Sequence, residues 1–280
     1  MVKMRIAIIT TDSFFSYLLI SDLIKYRLKD IVCIIVTPSR VKGKGILGSA
    51  VHLYKKTGWQ NFSYKVVAGL WVSFAETLYK MGLLHHCVTP SNAAKRYSIK
   101  LYYSKDCNNE PTLTYLRSGN IDILLSINVY QRMLEPLLSM PKIAAINNHF
   151  GLLPKYRGMA PYIWAMANGE KEIGLSIHHM VLKFDEGRII RQERMPLKHG
   201  DSAMGVYLRG CLIARKMILE AIAGVEKNPK DGFDQIGEGT YFSMPTHQCV
   251  IDLLQRGYKL WKFEDLFAVL NGDLGGEPLI

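Results

Sequence analysis

Met4-Arg5-Ile6-Ala7-Ile8-Ile9-Thr10-Thr11, a helical-period stretch from Ser13 to Leu28, and Ile31-Val32-Cys33-Ile34-Ile35-Val36-Thr37 closed by Pro38 decide the fold. The two apolar runs are short, rich in β-branched residues and almost uncharged, as buried parallel strands require. Between them Leu18, Leu19, Ile20, Leu23 and Ile24 recur at helical spacing. Strand, helix and strand joined by short turns predict a right-handed βαβ unit, the seed of a doubly wound, mostly parallel α/β sheet.

Outward from this unit, Arg40 to Gly48 is a loop of Gly and Lys, and Val51 to Leu84 reads as a helical insertion. Trp71, Phe74, Leu78 and Met81 mark one face of that insertion. Core, a homodimer surface or a stripe resting on a membrane all fit such a face, and packing against protein is favoured. After Pro90 the alternation resumes. Strands are expected at Ser98–Tyr103, Ile121–Val129, Ile143–His149, Ile173–Val181 and Gly187–Met195, and helices at Glu110–Arg117 and Leu134–Ser139. A last helix is expected over Ala203–Ala223, capped by Asp201 and stopped by Gly224. Its buried face is marked by Met204, Leu208, Leu212, Leu219 and Ile222. The expected organisation is a catalytic domain over residues 1–224 and a small extension over 225–280.

Composition bounds the rest. At 280 residues, 49% hydrophobic and 21% charged, the chain is ordinary globular material, and one this long buries roughly 75% of the surface that it exposes unfolded. Five scattered cysteines without a Cys-x-x-Cys pair read as reduced thiols of a cytoplasmic protein. Of the eight histidines, His85-His86 and His178-His179 are adjacent. Neighbours on a strand point to opposite faces, so neither pair makes a chelate, and no metal is expected. Glu76 and Lys80 interrupt the most apolar helical stretch, so no transmembrane helix is expected. The net charge is +11, and no Asp or Glu stands between Ile31 and Ala75. A basic stretch of this kind favours an anionic partner, although a merely solvated face has the same composition.

The densest chemistry runs from Ile146 to Ile190. It holds Asn147-Asn148-His149, then Leu152-Leu153-Pro154-Lys155-Tyr156-Arg157-Gly158, then Asp185-Glu186-Gly187. Residues 147 and 149 are two apart on a strand and share a face. The three elements, in this order and spacing, resemble the folate-dependent formyltransferase family over roughly residues 4–224. The resemblance implies a Rossmann-like formyltransferase fold with its site at the carboxyl ends of the strands. It also implies 10-formyltetrahydrofolate as cosubstrate, with Asn147, His149 and Asp185 as catalytic residues.

The chemistry suits those residue types. Attack of an amine on a formamide places negative charge on the carbonyl oxygen, which Asn147 and His149 would meet as donors. The attacking nitrogen sheds a proton that Asp185 would accept directly or through water. By position the resemblance puts folate against Tyr130, Gln131, Arg132 and Met133 and against Leu182, Lys183 and Phe184, with Arg132 a candidate partner for a folate carboxylate. It puts the acceptor near Thr10, Thr11, Ser13, Tyr156 and Arg157. Phe150-Gly151 departs from the family's small residue and Ser, which concerns the floor of the site.

Three kinds of acceptor amine compete. The turn Thr10-Thr11-Asp12-Ser13 lacks glycine and carries an acid, which disfavours the phosphate of glycinamide ribonucleotide. Residues 225–280 are too few for the barrel of about 100 residues that methionyl-tRNA formyltransferases add, a size typical of a small domain, whereas the positive charge favours tRNA. A phosphorylated or nucleotide-linked amino sugar suits both the basic loop and the short extension, and is the leading reading. A non-catalytic folate-binding paralogue and a formyl-folate hydrolase are the alternatives outside transfer.

Overall fold

The computed structural model describes residues 3–39 and 46–271. Seven strands form one sheet in the order β3-β2-β1-β4-β5-β7-β8. They are β1 (Ile6–Thr11), β2 (Ile31–Thr37), β3 (Lys100–Tyr103), β4 (Ile123–Ile127), β5 (Ala144–His149), β7 (Glu172–His179) and β8 (Ile189–Pro196). The first five in space run parallel. β7 returns antiparallel to β5, and β8 antiparallel to β7. This is the α/β, mostly parallel sheet that the first βαβ unit predicts. The chain leaves β1 in both directions, through β2 to β3 and through β4 to β5, so the order reverses between β1 and β4.

Alternation along the strands divides the apolar residues between two cores. Ile6 and Ile8 of β1 point into one, with α1 (Phe14–Arg27) and α6 (Ala203–Lys227). Ala7 and Ile9 point into the other, against α4 (Glu110–Gly119). Helix α1 begins where Ser13 accepts a hydrogen bond from the Ser16 amide, replacing a partner that the first turn lacks. Helix α3 (Pro90–Arg96) is capped in the same way by Thr89.

Several expectations need correction. Leu134–Ser139 forms turns instead of a helix, because Pro136 lacks an amide hydrogen and disfavours helical backbone in the residue before it. Helix α6 is capped by Ser202, whose side chain accepts from Gly205 N. Asp201 instead accepts from the Lys198 amide and pairs with Arg209 at 2.6 Å. Gly224 does not stop the helix, which runs on to Lys227 because Val225 continues its buried face. Along that face Leu212 and Leu219 are only half-buried.

The insertion is a helical stretch, α2 (Ile46–Lys80), broken at Gly58 (φ 76°, ψ 173°). Trp71 packs inward, donating Nε1 to the Leu266 carbonyl at 2.6 Å. Phe74 and Met81, placed on the same packing face by the sequence, are exposed.

Beyond α6, β9 (Tyr241–Phe242) pairs with β6 (Arg157–Gly158), and α7 (His247–Gln255) packs on α5 (Pro161–Asn168) and α2. Helix α8 (Phe263–Asn271) packs against α2 and α6. Among the described residues no helix is long and apolar enough to cross a membrane. The basic residues Arg40, Lys42 and Lys44 lie outside the described residues.

Candidate active site

Strand β5 ends at the site. Asn147 and His149 leave it on the α4 side, the face that Ala145 shares with the second core. The antiparallel return of β7 lays His178 opposite Asn147. Their side chains meet, with Asn147 Nδ2 3.2 Å from His178 Nε2. After β7 the chain turns at Asp185, which takes up left-handed backbone (φ 53°), a conformation that Asp tolerates better than most side chains.

That turn aims the carboxylate back at the strand tip. Oδ2 lies 3.6 Å from His149 Nδ1, and Oδ1 lies 3.4 Å from His178 Nε2. The amide of Gly158 donates to Oδ2 at 2.8 Å. Residues far apart in sequence, Asn147, His149 and Asp185, thus come together, and His178 joins them. In sequence, His178 stands out only as half of an adjacent histidine pair. Its two-residue spacing from Ser176 sets the two on one face of β7, where the Ser176 hydroxyl bonds the Gly151 carbonyl at 2.7 Å.

The backbone fixes the tautomers. His149 Nε2 is 2.8 Å from the Tyr156 carbonyl oxygen, which can only accept, so that nitrogen carries a proton. His178 Nδ1 likewise donates to the His179 carbonyl at 2.8 Å. Both rings therefore turn their other nitrogen toward Asp185. In neutral rings that nitrogen is a lone pair, and His178 Nε2 uses it to accept from Asn147.

Burial works against charge on Asp185 and His149 alike. On Asp185 it is overcome by attraction to His149 and His178 and by the Gly158 amide, so the carboxyl stays well below the usual carboxylate range. On His149 burial prevails, aided by repulsion from His178, over the raising effects of Asp185 and the Tyr156 carbonyl. At neutral pH the pair is a carboxylate facing a neutral imidazole, with a place for one proton between them.

Gly151 makes up the floor of the site. A Cβ there would stand 2.6 Å from His149 Nε2 and 2.5 Å from the Tyr156 carbonyl oxygen. Without one, the hydrogen bond that fixes His149 can form. Phe150 turns the other way, its ring 4.2 Å from that of Tyr207.

The two segments expected around folate lie side by side. Arg132 Nη2 donates to the Leu182 carbonyl at 2.7 Å, and its guanidinium sits 5.2 Å from the centre of the Phe184 ring. Arg132 thus ties the two loops together and is already engaged by them. Gln131 is spent on Cys107 N and the Lys105 carbonyl, and Met133 is buried in the second core. Lys183 pairs with Glu186 at 3.6 Å. Tyr130, Val181, Leu182 and Phe184 are exposed, an apolar rim beside an ionised carboxylate that suits a flat heteroaromatic ring.

The residues expected around the acceptor are less available. The Tyr156 hydroxyl donates to Glu170 at 2.7 Å. Arg157 is held by Glu186 at 3.0 Å and Gln235 at 2.8 Å. Thr10 is fully buried. Thr11 and Ser13 bond to Ser16. All five cysteines are buried and none is in a disulfide. Among the described residues no group of three or more His, Cys, Asp or Glu side chains is placed to hold a metal ion.

Residues 4–222 match the family model described as formyl transferase. The chain is 31% identical over 139 residues to the bifunctional polymyxin resistance protein ArnA of Wigglesworthia glossinidia brevipalpis, covering 50% of this chain and 21% of that one. It is 29% identical over 170 residues to the methionyl-tRNA formyltransferase of Latilactobacillus sakei subsp. sakei (strain 23K), covering 60% and 54%. The chain therefore spans about a fifth and about half of these two relatives. Among solved structures, the N-formyltransferase of Helicobacter canadensis in complex with folinic acid and dTDP-3-aminofucose superposes with a TM-score of 0.55 at 17% identity, covering 86% of this chain and 71% of that one. At that identity the likeness is one of fold.

Proposed function

Because this chain belongs to the formyl transferase family, we propose that it moves the formyl group of 10-formyltetrahydrofolate onto the primary amine of a small anionic acceptor, a nucleotide-linked amino sugar. The observation that carries the reading is the buried Asp185 carboxylate, facing one nitrogen of His149 and one of His178 beside the Asn147 amide. Folate would lie against Tyr130 to Met133 and Leu182 to Phe184, and supplies when bound a formamide carbon as electrophile.

The remaining work falls to the protein's own groups. Asn147 Nδ2 carries two hydrogens. One points at His178, and the other is left to meet the oxygen on which charge develops, a role worth about 3–4 kcal/mol for one well-aimed donor. His149 Nε2 is committed to the Tyr156 carbonyl, so His149 acts through Nδ1. That nitrogen would take the proton shed by the amine and return it to the folate nitrogen as the bond from that nitrogen to the formyl carbon breaks, and the adjacent carboxylate steadies the imidazolium held in between. Such acid–base help contributes about 10²–10⁴-fold. Asp185 stays ionised throughout and holds the charge in place.

One observation supports a sugar over glycinamide ribonucleotide. Asp12, on the turn after β1, accepts the Ser91 amide at 3.0 Å and keeps a carboxylate where the ribonucleotide's phosphate would sit. The test is consumption of 10-formyltetrahydrofolate with a panel of UDP- and dTDP-linked amino sugars, glycinamide ribonucleotide and methionyl-tRNA. Turnover confined to a sugar nucleotide is expected. Turnover on one of the other two amines refutes the sugar assignment, and folate binding with no turnover on any amine refutes formyl transfer.

A further inference from the structure

Between Asn147 and His149, β5 carries a third polar residue whose side chain the reaction does not use. Asn148 points to the opposite face of the sheet, among Ile146, Ile177 and the other apolar residues of the α1–α6 core. It is 6% exposed, yet neither its amide oxygen nor its amide nitrogen has a hydrogen-bond partner. Buried amides are nearly always paired, so one left wholly unpaired marks a place where another polar group belongs.

The surroundings say what kind of group. In register, Asn147 lies beside Ser126 of β4, so Asn148 neighbours Ile127, one residue short of Asn128. Asn128 holds left-handed backbone (φ 54°) and accepts a hydrogen bond from the Tyr207 hydroxyl at 2.5 Å. Its amide donates to Ser16 Oγ at 3.2 Å, and Ser16 in turn meets Ser13 and Thr11. This chain of hydroxyls and amides crosses the gap between the ends of β1 and β4, where the strand order reverses, and open α/β sheets bind ligands at such reversals. Aromatic rings flank it. Tyr207 packs against Phe15 at 4.8 Å, Phe150 at 4.2 Å and Tyr162 at 4.9 Å between centroids. No member of the chain is charged.

We infer that Asn148, with the Ser16–Asn128–Tyr207 chain, forms the subsite that selects the acceptor, and that it reads hydroxyl groups on the sugar ring that bears the amine. The inference rests on the formyl-transfer reading and deepens it. Neutral groups able both to donate and to accept, set among aromatic faces, match a polyhydroxylated ring, and none of them carries a positive charge to pair with a phosphate. Strand β5 then serves the whole reaction, with Asn147 and His149 at the reacting atoms and Asn148 on the sugar ring that carries the amine.

The experiment compares wild type with Asn148→Leu, which keeps the volume and removes the amide, and with Tyr207→Phe. Melting curves first establish that each variant folds. For the UDP- or dTDP-linked amino sugar with the best turnover, the acceptor KM is expected to rise about tenfold or more in both variants, the size of effect given by loss of one buried polar contact. Values of kcat and the folate KM should stay within about twofold. Wild type should discriminate a deoxy analogue lacking one ring hydroxyl from its parent sugar, whereas Asn148→Leu should treat the two alike.

An unchanged acceptor KM in Asn148→Leu, with equal or higher stability, overturns the inference and makes Asn148 a water-satisfied structural residue. Should no amine be formylated, the transfer reading fails, and calorimetric titration of the same sugar nucleotides in the presence of 5-formyltetrahydrofolate decides the subsite separately. Weaker binding by Asn148→Leu supports it, and no binding by wild type overturns it.

Discussion

His149 commits one ring nitrogen to architecture and keeps the other for protons. With Nε2 fixed on the Tyr156 carbonyl, the charge of the ring is decided at Nδ1, and burial holds its pKa below the ordinary histidine value, about 6.5. Catalysis needs Nδ1 vacant, so kcat should rise with pH through the His149 pKa and level off before about pH 6.5. An acid limb centred above that value contradicts the assignment. Stability follows the same sign. A histidine with a lowered folded pKa favours the unfolded chain as pH falls from about 6.5 through the folded value. Asp185, with its pKa depressed, contributes stability that is present above about pH 4 and lost as pH falls through its folded value. Urea midpoints should therefore drop in both windows, the lower one less steeply in Asp185→Asn.

At the scale of elements, helix α2 shows how one residue can hold a long segment in place. Gly58 breaks it in left-handed backbone, and a Cβ there would overlap the His247 ring on α7. Gly58→Ala thus incurs both a backbone and an overpacking cost, about 1–3 kcal/mol together. Chemical denaturation is expected to show that loss, and adding His247→Ala should recover part of it. Full recovery would mean that the backbone conformation costs nothing. Strand β5 is the other decisive element. Its twofold alternation made Asn147 and His149 legible as a facing pair, because that inference needs only neighbours in sequence.

Across the whole molecule, legibility follows contact distance along the chain. The first βαβ unit and the strand sites depend on local pattern and could be read. Asp185 could be placed only through the family resemblance, since its approach to His149 depends on the antiparallel return of β7. His178 went unused because an adjacent histidine pair does not say which ring faces inward. The break at Gly58, the turns around Pro136 and the pairing of β6 with β9 arise from tertiary contacts or small backbone preferences that periodicity does not carry.

The extension is a whole-molecule matter too. Val250, Leu253, Leu260, Leu266 and Val269 are buried in the larger core. At about 1.5–3 kcal/mol for each such side chain, their loss rivals a total stability of about 5–15 kcal/mol. A chain cut after Lys227 should lose its cooperative thermal transition, and a sharp melt near the full-length value would show that residues 3–227 stand alone.

The most direct test of the whole account is the single-turnover rate of formyl transfer by wild type and by Asp185→Asn, each saturated with 10-formyltetrahydrofolate and its preferred sugar amine. The account predicts a loss of about 10²–10⁴-fold in that rate with the melting temperature little changed, since Asn keeps an acceptor for the Gly158 amide but neither holds charge nor steadies a protonated His149. A variant that folds like wild type and turns over within a few-fold of it would contradict the central role given to that carboxylate.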